Sequence, residues 1–311
     1  MITTVTLNPA IDKTITVEQF RLNTVNRVLS VNEDLGGKGI NVSKVLHHLK
    51  HKTVACGFIG EANYGLVQPH IKRLGLSTDF VLVDALTRIN TKIIDPIEKS
   101  TTDINETGFT VSRVQIEQLK IMLQAYAKLS SFMVFSGSIC KGIDTDSFQS
   151  LIEAVAPTPW VLDADRQVLR AGLELQPYLI KPNIHELEDL LQIKLETNQD
   201  IVREVRSLMQ RFKIQYCLVS MGEKGSILVK QEGAFHANAL DVELVTTVGA
   251  GDAMLAGFLF GLSEGYSDLD ALRTATACGA IAVSGISLRA FNDLKIEALM
   301  DRVELTQIDL G

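Results

Sequence analysis

A chain of 311 residues with 46% hydrophobic content is not disordered and can bury a large core, as one big domain or two modest ones. Thirty basic against thirty-seven acidic residues leave a formal charge of -7, which argues against broad electrostatic binding to nucleic acid or anionic lipid. Any phosphate ligand must then be met by a local cluster of positive groups. Cys56, Cys140, Cys217 and Cys278 are scattered through apolar stretches without a C-x-x-C pair, so they read as buried small hydrophobes, and neither disulfides nor zinc are expected. MITTVTLNPA lacks a basic leader, and no apolar run reaches the roughly 18 to 20 residues of a membrane span. A cytoplasmic protein without a membrane or nucleic-acid partner is expected.

In chain order, ITTVTL from Ile2 reads as the first strand, and 13–35 as polar, threonine-rich strands with no helix between them. GGKGINV, Gly36 to Val42, leads into a helix, INVSKVLHHLKHK, and TVACGF from Thr53 is the next apolar strand. Residues 87–108 repeat the polar strand pattern, and Arg113 opens a helix, RVQIEQLKIMLQAYAKL. FMVFSG from Phe132, WVLDA from Trp160, YLIKP from Tyr178 and YCLVS from Tyr216 are strands, with IVREVRSLMQRF from Ile201 a helix between the last two. DLDALRTATACGAIAVSG from Asp268 is a further helix. This alternation predicts an α/β fold: a mostly parallel central sheet with helices on both faces. The stretches at about 13–35 and 87–108 are expected to form a small β lid on one domain spanning 1–311, since no repeat or linker divides the chain.

Three turns carry the chemistry: GGKGIN, the SGS after FMVF, and TTVGAGDAMLAGF from Thr246. Each follows or precedes an element whose end lies where open α/β sheets gather ligands, at the carboxyl ends of the strands. In the last of them, glycines open a helix whose free amides favour an anion, with Asp252 next to them. The stretch alone fits equally a simple N-cap turn before a core helix. There is no Walker A loop, and no G-x-G-x-x-G after the first strand.

NPAID, GGKGIN, TRIN, TDIN, SGS, LDADR, IKPNIHE, SMGEKG and TVGAGD, in this order and over nearly the whole chain, resemble the phosphofructokinase-B branch of the ribokinase-like sugar kinases. The combination is most similar to bacterial 1-phosphofructokinases, then to tagatose-6-phosphate kinases. The resemblance implies an ATP- and magnesium-dependent kinase of a ketohexose phosphate, fructose 1-phosphate first, tagatose 6-phosphate or fructose 6-phosphate next. It makes Asp252 the general base, with the amides of Gly249, Ala250 and Gly251 holding the transferring phosphoryl group. It places Asp12, Gly37, Lys38 and Asn41 around the sugar, with Arg27 and Arg88 on the lid segments and Ser138 at the SGS turn. Lys38 and the arginines would meet the sugar's own phosphate. It assigns Lys181, Asn183, Ser220, Gly222, Gly225 and Thr247 to the nucleotide, and Glu186 to magnesium through water. Asn183 and Glu186 also fit a capping box, and both roles can hold together. Asp165 and Arg166 stand where relatives carry other residues, which leaves them without a role. His47, His48 and His51 read as a solvated helix face, and His185 as a bystander. A catalytically silent sugar-phosphate or nucleotide sensor is the alternative of a different class. Edges on the lid sheet are natural pairing surfaces, so a homodimer through the lid is expected.

Overall fold

The computed structural model describes residues 1–284 and 293–309, the side chains of Arg166, Asp293 and Leu294 excepted; Gly285, the end of the helix expected from Asp268, and the Arg166 side chain lie outside the described parts. The first strands are β1 (Ile2–Thr6), β2 (Ala10–Thr16), β3 (Ser30–Gly36), β4 (Thr53–Gly60), β5 (Thr78–Val83), β6 (Arg88–Asp95) and β7 (Ser100–Asn105). They continue as β8 (Phe132–Ser136), β9 (Trp160–Asp163), β10 (Leu179–Ile180), β11 (Tyr216–Ser220), β12 (Ser226–Lys230), β13 (Gly233–Ala237) and β14 (Leu305–Ile308). The helices are α1 (Lys38–His48), α2 (Tyr64–Leu74), α3 (Arg113–Ala127), α4 (Thr145–Glu153) and α5 (Arg166–Leu173). After them come α6 (Ile184–Leu191), α7 (Asn198–Phe212), α8 (Ala250–Ser263), α9 (Asp268–Val283) and α10 (Asp293–Met300).

Among the described residues, ten strands form one sheet in the order β14-β13-β12-β11-β10-β9-β8-β1-β4-β5. Pairing is parallel from β11 to β5 and antiparallel from β11 to β14. Strand residues alternate between the two helical layers, as a period of two requires. Met133 and Phe135 of β8 face α3, α4 and α7, whereas Phe132 and Val134 face α1, α8 and α9. Burial of Leu119 and Leu123 of α3 contributes roughly 1.5–3 kcal/mol each. The α/β architecture expected from the alternation is therefore present, with helices on both faces.

A second, four-stranded sheet, β3-β2-β6-β7, is drawn from the two threonine-rich stretches. Its inner face packs Ile11 and Leu35 on Ile40, Ile59 and Val67 of the body. β7 is exposed throughout. Among the described residues, no helix is long and apolar enough to cross a membrane.

The order of the main sheet reverses at β1: from it the chain runs outward through β4 and β5 on one side, then through β8, β9, β10 and β11 on the other. The crevice beyond the carboxyl ends of β1 and β8 is where such sheets bind ligands.

Candidate active site

The reversal brings the ends of β1 and β8 together. Asn8, just past β1, donates through Nδ2 to Ser138 Oγ at 3.2 Å and to the Thr107 carbonyl at 3.2 Å. Thr6 Oγ1, at the end of β1, accepts from the Ile40 amide at 3.1 Å and so caps α1, whose first residue is Lys38. Gly37 is the N-cap at φ 126°, a conformation that glycine adopts without strain.

On the sugar side expected from the sequence, Asp12 lies on β2 with its carboxyl above Gly36, where any Cβ would overlap it. Asn90 of β6 donates to Asp12 Oδ1 at 3.1 Å. Burial raises the Asp12 carboxyl above the usual range, while Asn90 and then the Lys44 charge pull it back. Arg88, at the root of β6, spends its guanidinium on backbone carbonyls: Glu106 at 2.9 Å, Asn8 at 3.0 Å and Pro9 at 3.4 Å. Arg27 is exposed on the loop between β2 and β3.

The centre is a buried charge cluster. Asp163, the last residue of β9, has a fully buried side chain; Oδ1 lies 3.3 Å from Lys38 Nζ and Oδ2 3.3 Å from Lys181 Nζ. Burial alone would push Asp163 up, but Lys181 and then Lys38 outweigh it and hold the carboxyl below its ordinary value. Lys38 also faces Asp165 at 3.4 Å and Glu186 at 3.9 Å. Asp163 above all, then Asp165 and Glu186, raise its pKa. Three carboxylates thus surround the ammonium of Lys38, the residue expected at the sugar's phosphate.

Asp252, in the first turn of α8, is buried, and Asn41 of α1 donates to its Oδ2 at 2.9 Å. Its pKa is pushed up to about 6, by burial first and then by the Asp163 charge. Gly249 precedes α8 at φ 80°, and among the described residues no side chain caps this helix. Among the described residues, the amides at the start of α8 therefore have neither an intrahelical partner nor a side-chain cap. Lys181 reaches the same place, its Nζ 3.0 Å from where a Cβ on Gly251 would stand.

Asn183 and Glu186 make a complete capping box on α6: Asn183 Oδ1 accepts from the Glu186 amide and Glu186 Oε2 from the Asn183 amide, each at 2.9 Å. Glu186 Oε1 is left facing Lys38. Ser220 ends β11 beside Asn183, its amide bonded to the Pro182 carbonyl at 3.1 Å. Gly222 and Gly225 form the turn into β12, and Thr247 is exposed on the segment leading to Gly249. A cleft of about 950 Å³ opens beside Glu186 and Asn183, with Ser138 and Asp165 also in its wall. Among the described residues there is no group of three or more side chains able to cage a metal. His185 is exposed, and His51 is occupied with Glu264 at 2.9 Å.

The structure brings Asn41 to Asp252 and Lys38 to Glu186, residues that the sequence reading had assigned to separate roles, and it adds Asp163, Asn8, Asn90 and Lys44, which that reading passed over. LDADR directed attention to Asp165 and Arg166. The better signal was a carboxylate closing an apolar strand at the ligand-binding end of a parallel sheet.

These features define a ribokinase-like α/β protein. A solved structure of phosphofructokinase-2 from Escherichia coli in complex with substrates and products matches with a TM-score of 0.90 at 23% identity, over 97% of this chain and 98% of that one. The chain belongs to the pfkB family of carbohydrate kinases, whose description, "pfkB family carbohydrate kinase", matches residues 5–293. It is 33% identical over 311 residues to a 1-phosphofructokinase of Haemophilus influenzae, covering 99% of both chains. It is 30% identical over 315 residues to a tagatose-6-phosphate kinase of Staphylococcus epidermidis, covering 99% of this chain and 100% of that one. The protein is a sugar kinase, and its family implies the use of ATP.

Proposed function

We propose that the protein is a cytoplasmic, single-domain kinase that phosphorylates the C6 hydroxyl of fructose 1-phosphate, forming fructose 1,6-bisphosphate and ADP. The observation that carries this reading is Asp252: a buried carboxylate beside the uncapped, glycine-led start of α8, held by Asn41 through one oxygen. The other oxygen takes the proton of the attacking hydroxyl. The amides of Gly249, Ala250 and Gly251, with Lys181 beside them, hold the transferring phosphoryl group where its charge develops. Asp12, Asn41 and Gly37 orient the ring hydroxyls. Ser138, Arg27 and Arg88 meet the sugar's own phosphate, Arg88 by exchanging its carbonyl partners for phosphate oxygens, and Lys38 sits between that end and the carboxylates. Asn183, Ser220, Gly222, Gly225 and Thr247 line the nucleotide.

Magnesium fits this donor set. It keeps most of its waters and takes one or two carboxylates plus phosphates, and here Glu186 Oε1, 3.9 Å from Lys38, and Asp163 Oδ2, paired with Lys181 at 3.3 Å, are the carboxylate oxygens that would serve, directly or through water. When bound it neutralises phosphate charge. The small sheet acts as a lid and, through its exposed edges, as a homodimer contact.

Fructose 1-phosphate is put before 6-phosphates because full-length relatives at 31–33% identity are named 1-phosphofructokinase. Parallel kinetics with ATP on fructose 1-phosphate, tagatose 6-phosphate, fructose 6-phosphate and free fructose test it. The expected order has fructose 1-phosphate first, weak 6-phosphate turnover, and little on fructose, which lacks the phosphate that Ser138, Arg27 and Arg88 would hold. A preference for tagatose 6-phosphate would replace the substrate, and no turnover of any would leave a sensor.

A further inference from the structure

Asp12 and Asp34 are direct cross-strand partners in the antiparallel pairing of β2 and β3. Facing residues of such a pair project to the same side of the sheet, and two like charges there repel. The arrangement persists because a third element supplies a cation. Lys44, one helical turn beyond Ile40 on α1, is only 4% exposed. Its ammonium donates to Asp34 Oδ2 at 2.7 Å and to the Leu35 carbonyl. From the α2 side, Arg73 reaches Asp34 Oδ1 at 3.3 Å and His70 stands at 3.7 Å, but Arg73 is 59% exposed, and a solvated pair of that kind contributes little. A lysine buried on the apolar side of a helix is costly unless paired, so Lys44 and Asp34 depend on one another. Among the charges acting on Asp12, Lys44 favours the carboxylate and Asp34 opposes it.

We propose that Lys44 is a positioning residue of the acceptor pocket: it fastens β3 to α1 through Asp34 and Leu35, and it places a cation against the facing carboxylates so that Asp12 holds its place above Gly36. This rests on the reading of Asp12 as a sugar ligand. Lys44 touches no substrate in this account; it works through the strand that carries Asp34 and through the charge presented to Asp12.

The test is a cycle of Lys44→Met, Asp34→Asn and the double variant, with Lys44→Arg and Lys44→Gln beside it, read by sugar-phosphate and ATP kinetics and by hydrogen exchange of the unliganded full chain. Lys44→Met is expected to raise KM for fructose 1-phosphate about tenfold while KM for ATP stays within about twofold. Exchange of the β3 amides should quicken about tenfold or more as their tether is lost. Lys44→Arg should restore most of both. Lys44→Gln keeps a donor for Leu35 but no charge, so it should resemble the methionine variant, and it serves where that variant does not fold. With Asp34→Asn in place, the like-charge neighbour is gone and the Lys44→Met penalty on KM should shrink at least about threefold. Equal rises in both KM values, a full rescue by glutamine, or strict additivity in the cycle would overturn the proposal. If the wild type turns over no sugar phosphate, the functional reading fails. The exchange cycle then still decides the tether, because unchanged β3 protection in Lys44→Met and Lys44→Gln would defeat it without any substrate.

Discussion

Asp252 is the side chain on which the proposed chemistry turns. Asp252→Asn keeps shape and volume but accepts no proton, so turnover is expected to fall by about two orders of magnitude or more while sugar binding is largely kept. Retained turnover, measured by ADP release, would remove it from the reaction. A pKa near 6 also fixes the pH dependence. The base is formed above that value, so kcat/KM should fall on the acid side with a midpoint close to pH 6. For stability the sign is opposite. A carboxyl whose pKa is higher folded than unfolded favours the native state at low pH, and that benefit is lost as pH rises from about 4 through 6. At pH 8 the fold carries a buried charge that asparagine would not, so Asp252→Asn should be more stable there by ~1–3 kcal/mol in urea unfolding, a gain absent at pH 4. Asp252 was singled out by a local pattern, glycines before a lone acid at a helix start, and its expected role came from the family resemblance. Asp163 and Lys44 were not, because each owes its surroundings to segments far along the chain: Asp163 meets Lys38 across 125 residues, and Lys44 looks like any solvated lysine on an amphipathic helix.

The helices and strands show the same division. α1, α3 and α7 were readable from their 3.6-residue pattern, and α7 begins three residues before its apolar run because Thr197 and Asp200 form a capping box. β12, β13 and β14 were not singled out, since an antiparallel return and a parallel crossover look alike within one strand. α8 is apolar on every side, so its sequence announces burial but not its neighbour. That neighbour is α9, and the contact is made by glycine: a Cβ on Gly257 would stand 2.8 Å from the Thr274 carbonyl oxygen and 3.0 Å from Ala275 Cα. Gly257→Val should therefore cost about 2–3 kcal/mol by forcing the two helices apart. It should also displace Asp252 and lower kcat, measurable by urea unfolding beside kinetics. In the small sheet, Arg27→Ala should raise KM for sugar phosphate well above any change for ATP. Arg88→Ala should do so more strongly, because it also releases the Asn8, Pro9 and Glu106 carbonyls; an equal effect on both substrates would point to a folding defect.

For the molecule as a whole, the alternation of strands and helices was enough to foresee the layered sheet, whereas the order of its strands, and with it the reversal at β1, lies beyond any local pattern. Assembly is likewise a property of surfaces that local pattern leaves open. Val31 of β3 and Ile104 of β7 are 53% and 56% exposed, and Leu22 and Val25 on the connecting loop 79% and 87%. A mass of two chains in solution at working concentration is expected from these surfaces, and light scattering that returned a monomer would refute pairing through the small sheet. The reversal at β1 has a further consequence, for the order in which the chain can be completed during synthesis. β1 emerges first, yet it lies between β4 and β8, so one of its two neighbours does not exist until residue 132 has been made. Until then a strand that ends up interior to the sheet is an open edge with apolar side chains on both faces, a template for pairing with another nascent chain. Products that stop between β5 and β8 should thus aggregate, and the interval in which the growing protein most needs protection is set by the distance along the chain from Thr6 to Phe132.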